Sequence, residues 1–331
     1  MGKKMRFGCL VKDHVAEVRE RDLPEVGPEE VLVKRLANNI CTTDYQQWMG
    51  LREHQGYPMA GGHEGSGIVE AVGSNVTTIK VGDLVGVMDY GCGKCEDCRS
   101  GHQSLCTKKD PKATTADGYY GGMFGFGDYN VSPADRLFVM NPKLDPSEAG
   151  FLEPLATVCK GMEKLRIQPM ETVVVIGAGT MGLLNAQAAK AKGARVIVSE
   201  LMEKKLETAK AMGFEVIDGG KCDAVQAVKD LTDGVGVDCV IVAVGATVAN
   251  DQALQMIKKT DGRILLFAAG YPVPEIHVDS NVLHYRRIEL IGTFGADFCN
   301  FAESAKMLNT GAVDVSKLVE PKKFTLDQIQ D

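Results

Sequence analysis

Four closely spaced cysteines are the first residues in this chain whose spacing could do chemistry. They follow a C-x2-C-x2-C-x7-C pattern and comprise Cys92, Cys95, Cys98 and Cys106. Thiolates this close in sequence can reach the corners of one tetrahedron around Zn2+. Four sulfur ligands leave no open position for a substrate, so the spacing predicts a structural zinc site.

A second set of metal-binding residue types is dispersed along the chain. It consists of Cys41, the adjacent pair His63 and Glu64, and Glu153. Each residue alone favours a simpler interpretation, because a lone cysteine is usually a core residue and a glutamate before a proline usually begins a helix. Their presence in one chain with the cysteine cluster and a dinucleotide-binding motif shifts the balance towards function.

The dinucleotide motif is the apolar run Val173–Ile176 followed by G-x-G-x-x-G. Gly177 permits the tight turn, Gly179 lets the backbone approach a pyrophosphate, and Gly182 lets the helix pack closely on the sheet. The next predicted strand ends at Glu200, about 20 residues on, where an acid binds the ribose hydroxyls.

The acid at position 200 also bears on the choice of cofactor. Its carboxylate would repel a 2'-phosphate, so the sequence favours NAD over NADP. Lys205 weakens that preference, because it could reach the ribose edge; it could equally lie on a solvated helix face.

The elements that must position these residues are predicted from two different sequence patterns. Up to residue 148 the chain is β-rich, with strands predicted at 31–34, 67–73 and 83–87. Beyond it, strands predicted at 172–176, 195–198, 215–217, 238–242, 263–267 and 288–291 alternate with helices at 181–191, 203–212, 221–231 and 249–258. This alternation predicts a doubly wound parallel sheet covered on both faces.

Composition excludes several classes of function. The chain has 331 residues, 44% of them apolar and 24% charged, which is typical of a globular protein with room for two domains. The net charge of −7 argues against a nucleic-acid partner. No apolar run approaches the roughly 18 residues of a membrane span, and no signal peptide is recognisable, so we expect a cytoplasmic protein with reduced thiols.

Taken together, the motifs resemble the zinc-dependent medium-chain alcohol dehydrogenase family in order and spacing, from about residue 5 to 325. The matching pieces are Cys41 with Asp44, the Gly62-His63-Glu64-x-x-Gly67-x5-Gly73 signature, the four-cysteine lobe, Glu153-Pro154-Leu155 and the Gly177 motif. Glutamate at position 153 resembles the polyol (sorbitol-type), sugar and threonine dehydrogenases, whereas the ethanol-type enzymes have cysteine there.

The resemblance implies roles for particular residues. Cys41, His63 and Glu64 become ligands of a catalytic zinc, with Glu153 binding it directly or through water. Asp44 would orient His63, Thr157 would lie beside the nicotinamide, and Thr43 would relay the hydroxyl proton. Gln46 stands where many members have a relay histidine, which puts the proton path in question because glutamine cannot exchange a proton as histidine does.

The resemblance also implies an architecture and an activity. We expect an α/β protein with a GroES-like zinc-binding catalytic domain (1–148 and 290–331), a Rossmann NAD-binding domain (149–289), a cleft between them and two zinc ions. Family members usually continue through a further helix and strand. The expected reaction is NAD-dependent oxidation of a small secondary alcohol (a polyol, sugar derivative or amino alcohol) by a homodimer or homotetramer.

Two alternatives remain open from the sequence. One is an NADPH-preferring carbonyl reductase of the same family. The other is a catalytically impaired zinc- and nucleotide-binding protein, an interpretation that Gln46 favours and that Cys41, His63 and Glu64 oppose.

Overall fold

The computed structural model describes residues 3–52, 56–88, 91–108, 110 and 112–331. The chain divides into two compact units. Unit 1 comprises Met1–Ala156, Ala296–Gly311 and Val319–Asp331, and unit 2 comprises Thr157–Gly295 and Ala312–Leu318. The sequence analysis assigned 1–148 and 290–331 to the catalytic domain and 149–289 to the nucleotide-binding domain. In the structure, residues 149–156 fall in unit 1, and residues 290–295 and 312–318 fall in unit 2.

Unit 1 contains two antiparallel sheets. A hairpin forms a two-stranded sheet, and a five-stranded sheet has the order β6-β3-β4-β5-β7. The strands are β1 (Lys4–Lys12), β2 (Val15–Asp22), β3 (Glu30–Asn39), β4 (Glu64–Val72), β5 (Leu84–Val87), β6 (Tyr129–Pro133) and β7 (Leu137–Val139).

Helices in unit 1 are mostly short. They are α1 (Thr42–Trp48), α2 (Glu96–Arg99), α3 (Pro146–Ala149), the first residues of α4 (Leu152–Leu165) and, from the C-terminal portion, α10 (Phe298–Thr310). Short 3-10 turns occur at Gln103–Leu105, Ala134–Arg136 and Leu326–Gln328. The core on the five-stranded sheet includes Val33, Val69 and Val85, one from each of three neighbouring strands. Their side chains point to the same face of the sheet, since side chains alternate between the two faces along a strand.

Unit 2 is built on a six-stranded parallel sheet of order β10-β9-β8-β11-β12-β13. Its strands are β8 (Thr172–Ile176), β9 (Arg195–Glu200), β10 (Glu215–Asp218), β11 (Cys239–Val242), β12 (Arg263–Leu266) and β13 (Glu289–Gly292). Numbered along the chain from β8, this is the 3-2-1-4-5-6 order of the dinucleotide-binding fold, so the predicted fold class is confirmed.

Helices connect the parallel strands of unit 2. They are the remainder of α4, then α5 (Thr180–Ala191), α6 (Glu203–Ala211), α7 (Ala224–Asp230), α8 (Thr247–Met256) and α9 (Ser280–Arg286). The central strands are apolar on both faces, as a covered parallel sheet requires: Val174, Ile197 and Val240 are fully buried. Burying each such side chain contributes about 1.5–3 kcal/mol.

Several elements of unit 1 have no counterpart in the sequence prediction, among them the β1–β2 hairpin and helix α1. The β1–β2 hairpin mixes charged and apolar residues, and of its two strands only β1 has fully buried residues. Helix α1 has only seven residues, too few to show a helical period. The predicted strand at Gly67 begins three residues earlier, at Glu64, which places the histidine and glutamate of the signature at a strand start.

Within the described residues, no helix combines the length and the apolar character that crossing a bilayer demands.

Candidate functional site

The end of the β3–β4 ladder brings the dispersed metal-binding residues together. Asn39, the last residue of β3, pairs with Glu64, the first of β4, so Cys41 and His63 lie at the same end of this strand pair. One ligand atom from each of Cys41, His63 and Glu64 lies within 4.8 Å of the others. A thiolate, an imidazole and a carboxylate at this spacing fit a zinc ion that keeps one position open.

The two ring nitrogens of His63 face different partners. Nε2 lies 4.0 Å from Glu64 Oε1, and Nδ1 lies 3.7 Å from Asp44 Oδ1. The other oxygen of Asp44 accepts a hydrogen bond from the backbone N–H of Cys41 at 2.9 Å, which fixes the carboxylate at the start of α1. This arrangement suits Nε2 for a metal and Nδ1 for an orienting acid.

Burial and crowding of acids shift the ionisation of this centre. Burial, and next the charge of Glu153, raises the pKa of Glu64 to about 7. Burial lowers the pKa of His63, but its contact with Cys41 and the charges of Asp44 and Glu153 outweigh burial and hold it well above its usual value. A cation stabilises a buried set of acids around one histidine. Zinc held by this donor set would be such a cation.

Glu153 lies in the first turn of α4 and is 6% exposed. Its charge reaches both His63 and Glu64. Among the described residues, the ligand atoms of Cys41, His63 and Glu64 all lie within 4.8 Å of one another. Glu153 does not belong to this group.

The four cysteines of the lobe also converge. Cys92 Sγ lies 4.0 Å from Cys98 Sγ, and Cys95 Sγ lies 3.8 Å from Cys106 Sγ. Sulfurs bound about 2.3 Å from one tetrahedral zinc would be about 3.8 Å apart, so the donor set fits the ion. Backbone N–H groups of Lys94 and Cys95 approach Cys92 Sγ and lower the pKa of that thiol to about 6, which favours the thiolate.

Side-chain hydrogen bonds attach the cysteine lobe to the rest of unit 1. Ser104 donates its backbone N–H to Asp297 Oδ1 at 2.9 Å, and Gln103 Oε1 accepts from the backbone N–H of Phe298 at 3.1 Å. Arg136 donates to the carbonyl of Gly91 at 2.6 Å. The lobe therefore braces the N-terminus of α10, and Asp297, 1% exposed, is a structural residue that the sequence analysis did not single out.

The glycine motif in unit 2 has the predicted local geometry. Gly177 adopts a φ of 105°, which favours glycine, and Gly179 is the N-cap of α5 with extended backbone. A Cβ at Gly182 would overlap the carbonyl oxygen of Gly177, whereas a Cβ at Gly179 would meet no heavy atom within 4 Å. Gly182 is thus required by packing, and Gly179 keeps space open above the turn.

Glu200 is held at the end of β9 by three backbone N–H groups. Oε2 accepts from Ala178 at 2.8 Å, and Oε1 accepts from Leu201 at 2.7 Å and Met202 at 3.0 Å. Burial raises the pKa of this carboxyl, but these hydrogen bonds and the charge of Lys205 outweigh it, and the pKa lies below its usual value. The side chain is therefore an anion fixed beside the glycine turn.

Two further candidate residues are Thr43 and Thr157. The hydroxyl oxygen of Thr43 accepts a hydrogen bond from Arg52 Nη1 at 3.0 Å, a contact that the sequence analysis missed. Thr157 lies in α4 within unit 2.

A charged cluster in unit 2 is formed by residues outside the metal and nucleotide motifs. The exposed ring of His277 contacts Asp251 Oδ2 through Nδ1 at 2.9 Å and Glu275 Oε2 through Nε2 at 3.1 Å. These hydrogen bonds, that of Asp251 first, raise the pKa of His277 above its usual value. The cluster attaches the segment before α9 to helix α8.

Comparison with known proteins identifies the family. Two family models match, one described as the alcohol dehydrogenase GroES-like domain at residues 27–142 and one as zinc-binding dehydrogenase at residues 180–310. The L-threonine 3-dehydrogenase of Pyrococcus horikoshii is 33% identical over 96% of this chain and 90% of its own length. The chain belongs to the zinc-dependent medium-chain alcohol dehydrogenase family.

Other members of this family are similarly close. The sorbitol dehydrogenase of Bacillus subtilis is 31% identical over 99% of this chain and 92% of its own length. A zinc-binding dehydrogenase from Sinorhizobium meliloti, solved with NADP bound, is 28% identical with a TM-score of 0.86, covering 99% of this chain and 96% of that one. The resemblance to the polyol and threonine branch, and the prediction of a zinc-dependent alcohol oxidoreductase, are confirmed.

Proposed function

We propose that this dehydrogenase binds two zinc ions per chain, one in each cysteine-containing centre, and oxidises a small secondary alcohol with NAD. The observation that carries the proposal is the convergence of Cys41, His63 and Glu64 on one point at the end of the β3–β4 ladder. A three-residue donor set suits a catalytic ion because it leaves a coordination position for substrate, whereas four sulfurs do not.

The catalytic ion would supply Lewis-acid chemistry, lowering the pKa of a bound alcohol and polarising a bound carbonyl. The protein's residues position that ion. Asp44 holds His63 from its Nδ1 side, and Glu153 adds negative charge from α4 as a direct or water-mediated ligand. The hydroxyl of Thr43 would accept the substrate proton while it releases its own proton to water, since Gln46 cannot relay a proton.

The nucleotide would be bound at the glycine turn of unit 2, with Thr157 beside the nicotinamide. Gly177, Gly179 and Gly182 shape the turn for a pyrophosphate at the N-terminus of α5. The fixed anion of Glu200 supports NAD over NADP, because it would accept hydrogen bonds from ribose hydroxyls and would repel a 2'-phosphate.

NADPH-linked carbonyl reduction is the second candidate. The related Sinorhizobium meliloti structure contains NADP, and the charge of Lys205 acts on Glu200, so a cation is available near the ribose position. The ratio of kcat/KM with NAD to kcat/KM with NADP distinguishes the two candidates: the first predicts a ratio above one, and the second a ratio below one.

The substrate class proposed is a polyol, a sugar derivative or an amino alcohol. The names of the relatives span charged and uncharged examples, since L-threonine carries a carboxylate and sorbitol does not. We further propose that the protein is cytoplasmic and assembles as a homodimer or homotetramer; the terminal strand β13 offers an unpaired edge within the described sheet.

Metal analysis and a substrate panel test the proposal together. Two zinc ions per chain, and NAD-dependent oxidation of at least one polyol, polyol phosphate or L-threonine, are expected. Cys41→Ser should lose one zinc and at least about 100-fold in kcat, since removing a ligand disrupts the catalytic ion. The exposed Cys222 provides the control, because Cys222→Ser should change neither quantity. Full activity in Cys41→Ser, or no turnover of any panel member, would contradict the proposal.

A further inference from the structure

Arg52 reaches back to the first turn of α1. Helix α1 ends at Trp48, Gly50 turns the chain with a φ of 70°, and the backbone N–H of Leu51 bonds to the carbonyl of Gln46 at 2.9 Å. This turn reverses the chain along the helix. The half-buried Arg52 then donates from Nη1 to Thr43 Oγ1 at 3.0 Å.

The residue that Arg52 contacts lies beside the proposed zinc centre. Thr43 lies in the first turn of α1, whose N-cap is Cys41, and the Thr43 hydroxyl is the proposed acceptor of the substrate proton. The guanidinium therefore contacts the residue two positions after the proposed zinc ligand Cys41, at the end of α1 where substrate would bind.

Arg52 has no carboxylate partner among the described residues. The acid of α1, Asp44, is engaged by the backbone of Cys41 and by His63. Arg19 shows the usual arrangement, with Nε 2.6 Å from Glu17 Oε1. Withdrawing a cation from water without a counter-ion is costly, and a guanidinium with four remaining N–H donors matches a carboxylate or phosphate in a bidentate pair.

We propose that Arg52, with Thr43 beside it, binds an anionic group on the substrate. The substrate is then a secondary alcohol that carries a carboxylate or a phosphate, and uncharged polyols are poor substrates. This inference rests on the proposed function and narrows its substrate class.

Matched substrate pairs test the inference by kinetics. L-threonine is compared with L-threoninol, which lacks the carboxylate, and D-sorbitol 6-phosphate with D-sorbitol. Wild-type enzyme should favour one anionic member by its kcat/KM, and the pair concerned tells carboxylate from phosphate. In Arg52→Gln the anionic-to-neutral ratio of kcat/KM should fall about 10- to 100-fold, the effect of one charge-assisted pair. Arg52→Lys should lose less, and the control Arg19→Gln should keep the wild-type ratio.

A binding measurement decides the inference independently of turnover. Inorganic phosphate and acetate are titrated into the zinc-loaded protein by calorimetry at low salt. At least one should bind wild type and Arg19→Gln equally and Arg52→Gln about 10-fold more weakly. Equal binding by all three proteins, or an unchanged substrate ratio in Arg52→Gln, overturns the inference. If none of the four alcohols is oxidised, the proposed function fails, and the calorimetry still decides whether Arg52 binds anions.

Discussion

Two glycines of the nucleotide turn should respond to the same substitution in opposite ways. In Gly182→Ala the new Cβ would overlap the carbonyl oxygen of Gly177 and lie 2.9 Å from its carbonyl carbon. Both contacts are with backbone, so neither neighbour can rotate away, and α5 must move off the sheet. In Gly179→Ala the Cβ meets no heavy atom within 4 Å, and the φ of −72° suits alanine.

The sizes of the two effects follow from these contacts. Overpacking of this kind costs about 1–3 kcal/mol, so Gly182→Ala should lower Tm by about 3–10 °C. Gly179→Ala loses only a preferred N-cap residue, worth about 0.5–1 kcal/mol, or at most about 3 °C. Its Cβ instead occupies space that a pyrophosphate needs, so the Kd for NAD should rise at least about 10-fold.

Differential scanning fluorimetry without nucleotide, and fluorescence titration with NADH, separate the two roles. Wild type and both variants are compared at equal zinc loading. The reasoning is refuted if Gly179→Ala is destabilised as much as Gly182→Ala, or if Gly182→Ala keeps the wild-type Tm and loses only nucleotide affinity.

Three other substitutions have distinct expected outcomes. Cys95→Ser should leave one zinc per chain by elemental analysis and lower the free energy of unfolding by about 4 kcal/mol or more. The hydride-transfer rate of the folded enzyme should persist. Loss of that rate at full stability would contradict a structural role for the cysteine lobe. Asp44→Asn should weaken zinc at the His63 centre about 10- to 100-fold in a chelator competition and leave the cysteine lobe loaded. His277 has a pKa raised above its unfolded value of about 6.5, so its stabilisation is present below that pH and is lost as pH rises through the folded pKa. The Tm difference between wild type and His277→Gln should therefore be larger at about pH 5.5 than at about pH 8.5, and a difference independent of pH would refute the assignment.

Long, strongly patterned elements could be predicted from the sequence because local chemistry decides them. The strand at Thr172–Ile176 and the helix that follows Gly179 appear almost residue for residue, since a buried β-branched run and a glycine turn leave few alternatives. The cysteine lobe was equally predictable, because its four cysteines are close in sequence and converge without contacts between distant segments.

Contacts made by irregular backbone were not predictable in the same way. Arg52 reaches Thr43 only because a glycine turn reverses the chain after a seven-residue helix, and neither feature carries a periodic signal. Asp297 meets the cysteine lobe from 193 residues further along the chain, at Ser104. Such pairings depend on how distant segments pack, and a single sequence does not encode that packing in any local pattern.

The acidic residues around His63 show why sequence reasoning could name ligands and not rank them. Glu64 and Glu153 are the same residue type, and each lies near the start of a regular element, Glu64 as the first residue of β4 and Glu153 in the first turn of α4. Position separates them: Glu64 lies in register with Asn39 at the end of β3 and so shares the ligand group with Cys41, whereas Glu153 is presented by α4 and acts on both neighbours through its charge. Because that charge helps to raise the pKa of Glu64 to about 7, the two carboxylates compete for one cation or one proton. With Glu64 in the ligand group, the charge of Glu153 helps to set how strongly the centre attracts its metal.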